Sequence, residues 1–184
     1  MASASDSDEQ LPFSWDKICK IIESGELGRL MRYPDDTVRY SAWCDNIITL
    51  YSGMEKYLLE QRLGWHLPIK PLSSILFENS DDYQILLNDF PYAFDENIIH
   101  FVLWTKVPFG QDKNGYLDES TAKLIQEFIN KKFVTHFGQE NVRWFKNYNS
   151  ASSIPTISHF HILIYDRNRQ YSSLKDDILT KINF

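Results

Sequence analysis

The apolar residues of this chain keep two different periods, and the change between them near residue 70 limits the fold more than any other feature. From 14 to 57 they recur at three- and four-residue steps, the spacing of one helix face. Ser14 is placed to cap a first helix with Trp15, Ile18, Cys19 and Ile22 on one side, ending near Gly25. Pro34, with Asp35 or Asp36, starts a second, whose Tyr40, Trp43, Cys44, Ile47, Leu50 and Tyr51 recur at helical steps. Gly53 separates it from a third helix carrying Met54, Tyr57 and Leu58, and Gly64, Pro68 and Pro71 end the helical part. Beyond that point, segments 83–87, 98–106, 142–147 and 158–166 read as strands. Asp118 is placed to cap a long helix between them, with Leu124, Ile125, Phe128, Ile129, Phe133 and Phe137 on one side and Gly138 at its end. Leu174, Ile178, Leu179 and Ile182 predict a C-terminal helix. Helices first, then strands interrupted by one long helix, define an α+β fold with N-terminal helices packed on a mostly antiparallel sheet. Residues 1–12 read as a disordered acidic tail and 13–184 as a single domain, helical over 13–70 and sheet-bearing over 71–184.

A chain of 184 residues buries enough surface to fold without disulfides or a structural metal. Its 25 acids and 19 bases leave a formal charge of −6, which speaks against a nucleic-acid partner. No segment approaches the roughly 20 apolar residues of a membrane span, and MASASDSDEQ lacks the apolar run of a secretory signal. The two cysteines, Cys19 and Cys44, sit in apolar helical patterns and read as small core hydrophobes. A cytoplasmic protein is expected, also able to reach the nucleus by diffusion. The charge is unevenly spread. Glu78, Asp81, Asp82, Asp89, Asp95 and Glu96 fall between 71 and 105, where there is no Lys or Arg. Arg143, Lys146, Arg167 and Arg169 outnumber Glu140 and Asp166 between 139 and 170. That basic stretch favours a small anionic ligand.

It also contains the sharpest local signal, Ser158-His159-Phe160-His161-Ile162-Leu163-Ile164. Residues two apart in a strand share a face and stand roughly 6.6 Å apart. His159 and His161 therefore project together, opposite Phe160 and Ile162. His100 lies in a second apolar run, Ile98-Ile99-His100-Phe101-Val102-Leu103-Trp104. If the two strands pair, three imidazoles converge, either as metal ligands or as a phosphate-handling group. Asn88-Asp89-Phe90-Pro91-Tyr92 reads as a rigid bend, because Asn and Asp bond their own backbone and Pro fixes φ. Asn88 or Asp89 is a candidate to enter the histidine site.

As a set these motifs resemble the fungal N-acetylglucosamine-induced proteins, a family catalogued as a domain of unknown function. The resemblance runs over about 13–165. It rests on the Trp15 helix, Leu27-Gly28-Arg29-Leu30-Met31-Arg32-Tyr33, Tyr51-Ser52-Gly53, Leu63-Gly64-Trp65, Asn88-Asp89-Phe90-Pro91-Tyr92, His100 with Trp104-Thr105-Lys106, Trp144-Phe145-Lys146-Asn147, and His159-Phe160-His161. Phe90 stands where the family pattern has Trp. The resemblance implies a link to the N-acetylglucosamine response and to UDP-N-acetylglucosamine and chitin metabolism. It supplies no mechanism and no cofactor.

The order Pro91-Tyr92, His100, long helix, Asn147, Ser-rich loop, His159 and His161 is also similar to that of histidine-triad nucleotide hydrolases and transferases. Carried over, His161 would be the nucleophile, and Asn147 with Ser152 or Ser153 would hold phosphate oxygens. Leu163 at the third alternating position departs from that pattern. Three readings follow. The first is a binding protein whose cleft takes a small phosphorylated or sugar-nucleotide ligand, with Asn147, Lys146, Ser152, Ser153, Asn88, Asp89 and Trp104 as contacts around the histidines. The second is an enzyme using a His161 nucleophile, or a metal held by His100, His159 and His161. The third is a protein-interaction adaptor presenting Trp15, Trp43 and Trp65.

Overall fold

Ser14 accepts a hydrogen bond from the Lys17 amide and opens α1 (Trp15–Ser24), which Gly25 closes in the left-handed conformation. These are the capping groups that the sequence places at the two ends of this helix. The computed structural model describes residues 10–113, 115–148 and 154–169. After a short turn, Pro34 starts α2 (Pro34–Tyr51), and α3 (Met54–Tyr57) runs on into a π-helical stretch, Leu58–Leu63. Strands β1 (Tyr83–Leu87) and β2 (Ile98–Thr105) form an antiparallel pair with Tyr83 opposite Thr105. Asp118 accepts from the Thr121 amide and caps α4 (Glu119–Ile129), which continues through a π-helical turn, Asn130–Val134, and a last turn, Thr135–Phe137. Strands β3 (Val142–Phe145) and β4 (Ser158–Tyr165) complete a four-stranded sheet in the order β1-β2-β4-β3.

Every neighbouring pair is antiparallel. Because β2 and β3 both run against β4, they are parallel to each other, and α4 connects them. This is a split βαβ unit with β4 filling the gap. The architecture is α+β, with the long helix between strands.

The period of two sorts each strand's side chains onto opposite faces. Ile85, Ile99, Phe101, Leu103, Phe160, Ile162 and Ile164 face α4 and meet Ile125, Phe128, Ile129 and Phe133. The N-terminal helices cover the other face in two separate patches. Trp15, Ile18 and Ile21 of α1 pack on Ile98, Phe145 and Leu163 at one end of the strands. Leu58, Leu59 and Leu63, with Trp65, Ile154 and Ile157, pack on Leu86 and Trp104 at the other. The middle of that face, between the patches, carries His100, Val102 and His161.

Three details differ from the sequence reading. In α2 the only buried residue is Ile47, while Leu50 is 65% exposed, so the aromatic spacing marks a half-covered helix and not a core one. Leu124 of α4 likewise stands at the edge of the covered face, 38% exposed. Leu11 packs against the α1 patch, and Phe13 pairs with Phe94, so the folded body begins two residues earlier than expected. The expected C-terminal helix at Leu174–Ile182, and most of the acidic tail, lie outside the described residues.

Candidate functional site

The pairing of β2 with β4 sets His161 opposite Val102 and His159 opposite Trp104. His100 is then diagonal to His161, and their rings meet, Nε2 to Nδ1 at 2.9 Å. Asn147, just past β3, reaches the other side of His161. Its Nδ2 donates to His161 Nε2 at 3.1 Å and to the Tyr92 hydroxyl at 2.9 Å. With Nε2 accepting, the His161 proton sits on Nδ1 and is donated to His100 Nε2. Asn88 closes the chain: its Nδ2 stands 3.3 Å from His100 Nε2, and its Oδ1 accepts from the Phe90 amide at 3.0 Å, folding the bend. Asn88 therefore both shapes the bend and enters the histidine site.

The pair is sealed by aromatic rings. Phe145 stacks on His161 at 4.8 Å between ring centres, and Tyr92 and Phe94 lie against His100. Burial, aided by the positive charge of Arg32, pulls His100 from the ordinary imidazole value down to about 3. Burial, then the neighbouring rings and Arg32, holds His161 well below its ordinary value. Both are neutral at pH 7. His159 stands apart. It donates from Nδ1 to the Ile157 carbonyl at 2.7 Å and lies tilted against Trp104 at 4.3 Å, and burial lowers its pKa as well. The three rings thus do not aim at one point. Among the described residues, no group of three His, Cys, Asp or Glu side chains is placed to hold a metal ion.

Above this floor lies a cleft of about 250 Å³. His159, His161, Asn147, Val102 and Trp104 form its base, and Tyr40, Trp43, Tyr57, Phe90 and Tyr92 its walls. Trp43 and Tyr40 reach down from α2 onto Phe90, at 4.9 and 5.1 Å, and Trp43 meets Tyr57 edge-on. The cleft's bases are Arg32 and Arg62. Arg32 donates from Nε to the Phe90 carbonyl at 2.9 Å, and its guanidinium lies over Tyr40 at 4.1 Å and Tyr92 at 5.3 Å. Among the described residues no carboxylate pairs with it. Arg62 forms an ion pair with Asp89.

This corrects the sequence reading of the charges. Arg143 lies over Trp15 and bonds the Gln139 carbonyl, Arg167 lies over Tyr165, and Arg169 pairs with Glu96. None of the three lines the cleft. The positive charge comes instead from the N-terminal helical part, through Arg32 and Arg62. Of the acids of 71–105, Asp89 alone lines the cleft among the described residues. Asp82 is buried where it accepts from the Leu72 and Ser73 amides beside Lys106, and Asp89 serves as partner to Arg62. Lys146, its pKa lowered by burial, donates to the Asn147 carbonyl and lines a small hollow beside His159. Ser152 and Ser153 lie outside the described residues. Trp15 and Trp65 are buried and Trp43 faces the cleft, so the three tryptophans do not form an exposed docking face. Nothing in the sequence singles out Arg32 or Arg62 as cleft residues: Arg32 shares its stretch with Arg29, and nothing local separates the base that enters the cleft from the one that pairs with Glu26.

A split βαβ sheet with one face covered by a long helix and the other roofed by N-terminal helices over a buried histidine pair defines the class of this α+β protein. The chain belongs to the family described as "Protein of unknown function (DUF3605)", matched over residues 14–165. It is 30% identical to N-acetylglucosamine-induced protein 1 of Candida albicans, over 84% of this chain and 69% of that one. It is 32% identical to an uncharacterised protein of Saccharomyces cerevisiae, YPL067C, over 94% of this chain and 91% of that one. The solved structure titled "Crystal Structure of HTC1" superposes with a TM-score of 0.77 at 31% identity, covering 91% of this chain and 96% of that one. The resemblance seen in the motifs is therefore the family shown by these relatives. No helix among the described residues is long and apolar enough to cross a membrane.

Proposed function

We propose that this protein acts in the response to N-acetylglucosamine by binding a small phosphorylated or sugar-nucleotide ligand in the cleft above His161. The observation that carries the reading is Arg32. It is a guanidinium inside an aromatic-walled cleft, held by a backbone carbonyl and two tyrosine rings, with no carboxylate against it among the described residues. Such a group is poised for an anion, and the surrounding rings suit the flat face of a sugar or base. The name of the Candida albicans relative supports the link to N-acetylglucosamine. Binding without turnover is favoured because both ring nitrogens of His161 are already engaged, by Asn147 and His100. Titration calorimetry of the full chain with UDP-N-acetylglucosamine, glucosamine phosphates and plain nucleotides tests the proposal. Heat is expected with at least one phosphorylated compound, and its loss in Arg32→Gln. Absence of heat with all of them at high protein concentration overturns it.

A further inference from the structure

The charges lining the cleft are few. Among the described residues of its wall, Arg32 and Arg62 are the cations and Asp89 the one carboxylate. The two guanidiniums are anchored to consecutive residues: Arg62 to the Asp89 side chain and Arg32 to the Phe90 carbonyl. Both guanidiniums thus line one cleft from neighbouring points of the same bend, and the Asp89 carboxylate holds Arg62 as a ligand oxyanion would. The ion pair is half in solvent, with Arg62 29% and Asp89 46% exposed along the side chain, so it yields to a stronger anion at modest cost. A phosphate is that stronger partner, since it offers more acceptor oxygens and up to twice the charge of a carboxylate.

Size narrows the ligand further. Sites for drug-sized molecules run from roughly 300 to 1,000 Å³, whereas this cleft holds about 250 Å³. One pyranose ring with one phosphate suits that volume, and a nucleotide added to it would project outside. The remaining polar side chains include Asn147, His159 and Tyr92, which match hydroxyl and amide groups, and Trp104 and Trp43 line the cleft beside them and suit the C–H face of a sugar.

We propose that the ligand is a phosphorylated monosaccharide whose phosphate displaces Asp89 from Arg62 and is held between Arg62 and Arg32. This rests on the binding reading given above and adds to it the ligand's size and a stand-in role for Asp89.

Calorimetry of the full chain with N-acetylglucosamine 6-phosphate, unphosphorylated N-acetylglucosamine, UDP-N-acetylglucosamine and inorganic phosphate separates the two levels. The sugar phosphate is expected to bind tighter than the free sugar by about tenfold or more, the size of one charge-assisted contact, and tighter than inorganic phosphate. Asp89→Asn is expected to tighten the sugar phosphate several-fold relative to the free sugar, because it removes a competitor of the phosphate. Arg62→Gln is expected to weaken the sugar phosphate in either background. Thermal melts of each variant confirm the fold, and the half-exposed positions of Asp89 and Arg62 make its retention the expected result. Binding of UDP-N-acetylglucosamine without the monosaccharide phosphate overturns this inference and leaves the binding reading standing. Silence from every compound overturns both. Weaker sugar-phosphate binding in Asp89→Asn overturns the stand-in role.

Discussion

At the scale of single residues, the His100–His161 pair does two jobs through one hydrogen bond. It fills polar positions in an otherwise apolar sheet face, and it holds Asn147 and Asn88 at the cleft. Both rings are kept neutral by burial, which ties stability to pH. Below the ordinary value of 6.5 the unfolded chain takes up protons that the folded chain refuses until about 3 for His100. Their contribution is thus complete above 6.5 and lost as pH falls, at roughly 1.4 kcal/mol per pH unit for each imidazole that stays neutral. Urea midpoints compared at about pH 7.5 and about pH 5 will show this as a fall. Truncating one ring strands the other. His100→Leu or His161→Leu is expected to cost about 1–3 kcal/mol. The double variant should cost less than the sum and flatten the acid limb, as read from the same denaturation curves. Much of this site was legible beforehand: strand alternation put His159 and His161 on one face, and the apolar run around His100 marked a central strand. What alternation does not reveal is which two of three rings meet. That depends on the register that sets Val102, and not His100, opposite His161.

At the scale of elements, α2 is the unusual one. Its single buried residue is Ile47, yet its Tyr40 and Trp43 form part of the cleft wall, so it is a roof held mainly by ring contacts. Its helical period is plain in the sequence, but periodicity reports a face without saying what the face covers. The same spacing served equally well for a core helix. The roof joins α3 through Ser52 and Gly53, and Gly53 sits at φ 147°, ψ 153°, a conformation open essentially to glycine. Nothing crowds its missing Cβ. Gly53→Ala should therefore cost about 1–3 kcal/mol through backbone strain alone, measurable as a lowered melting temperature. On the opposite face α4 is a core element of the ordinary kind. Phe133, fully buried in the π-helical turn at its end, anchors it. Phe133→Ala is expected to cost about 3–5 kcal/mol, visible as a shifted urea midpoint. Here the sequence was a close guide, because Asp118 and Gly138 mark the helix ends and every large residue but Leu124 falls on the covered side.

At the scale of the molecule, the fold joins parts that lie far apart in the chain. Arg32 and Arg62 come from the helical part, the imidazoles from the sheet, and Asn147 from the strand end between them. The separate charge balance of each part pointed to the wrong bases, because the pairing of Arg169 with Glu96 and of Arg143 with the α1 region is set by long-range packing. The split βαβ order has a further consequence. β4, the last strand of the described chain, sits at the centre of the sheet between β2 and β3, which do not touch each other. A chain translated only as far as residue 157 holds the β1–β2 hairpin and β3 without the strand that joins them, so the four-stranded sheet closes only once β4 has been made. The strand that completes the sheet is also the one that brings His159 and His161, so the floor of the cleft is laid in the same step that joins the two halves of the sheet.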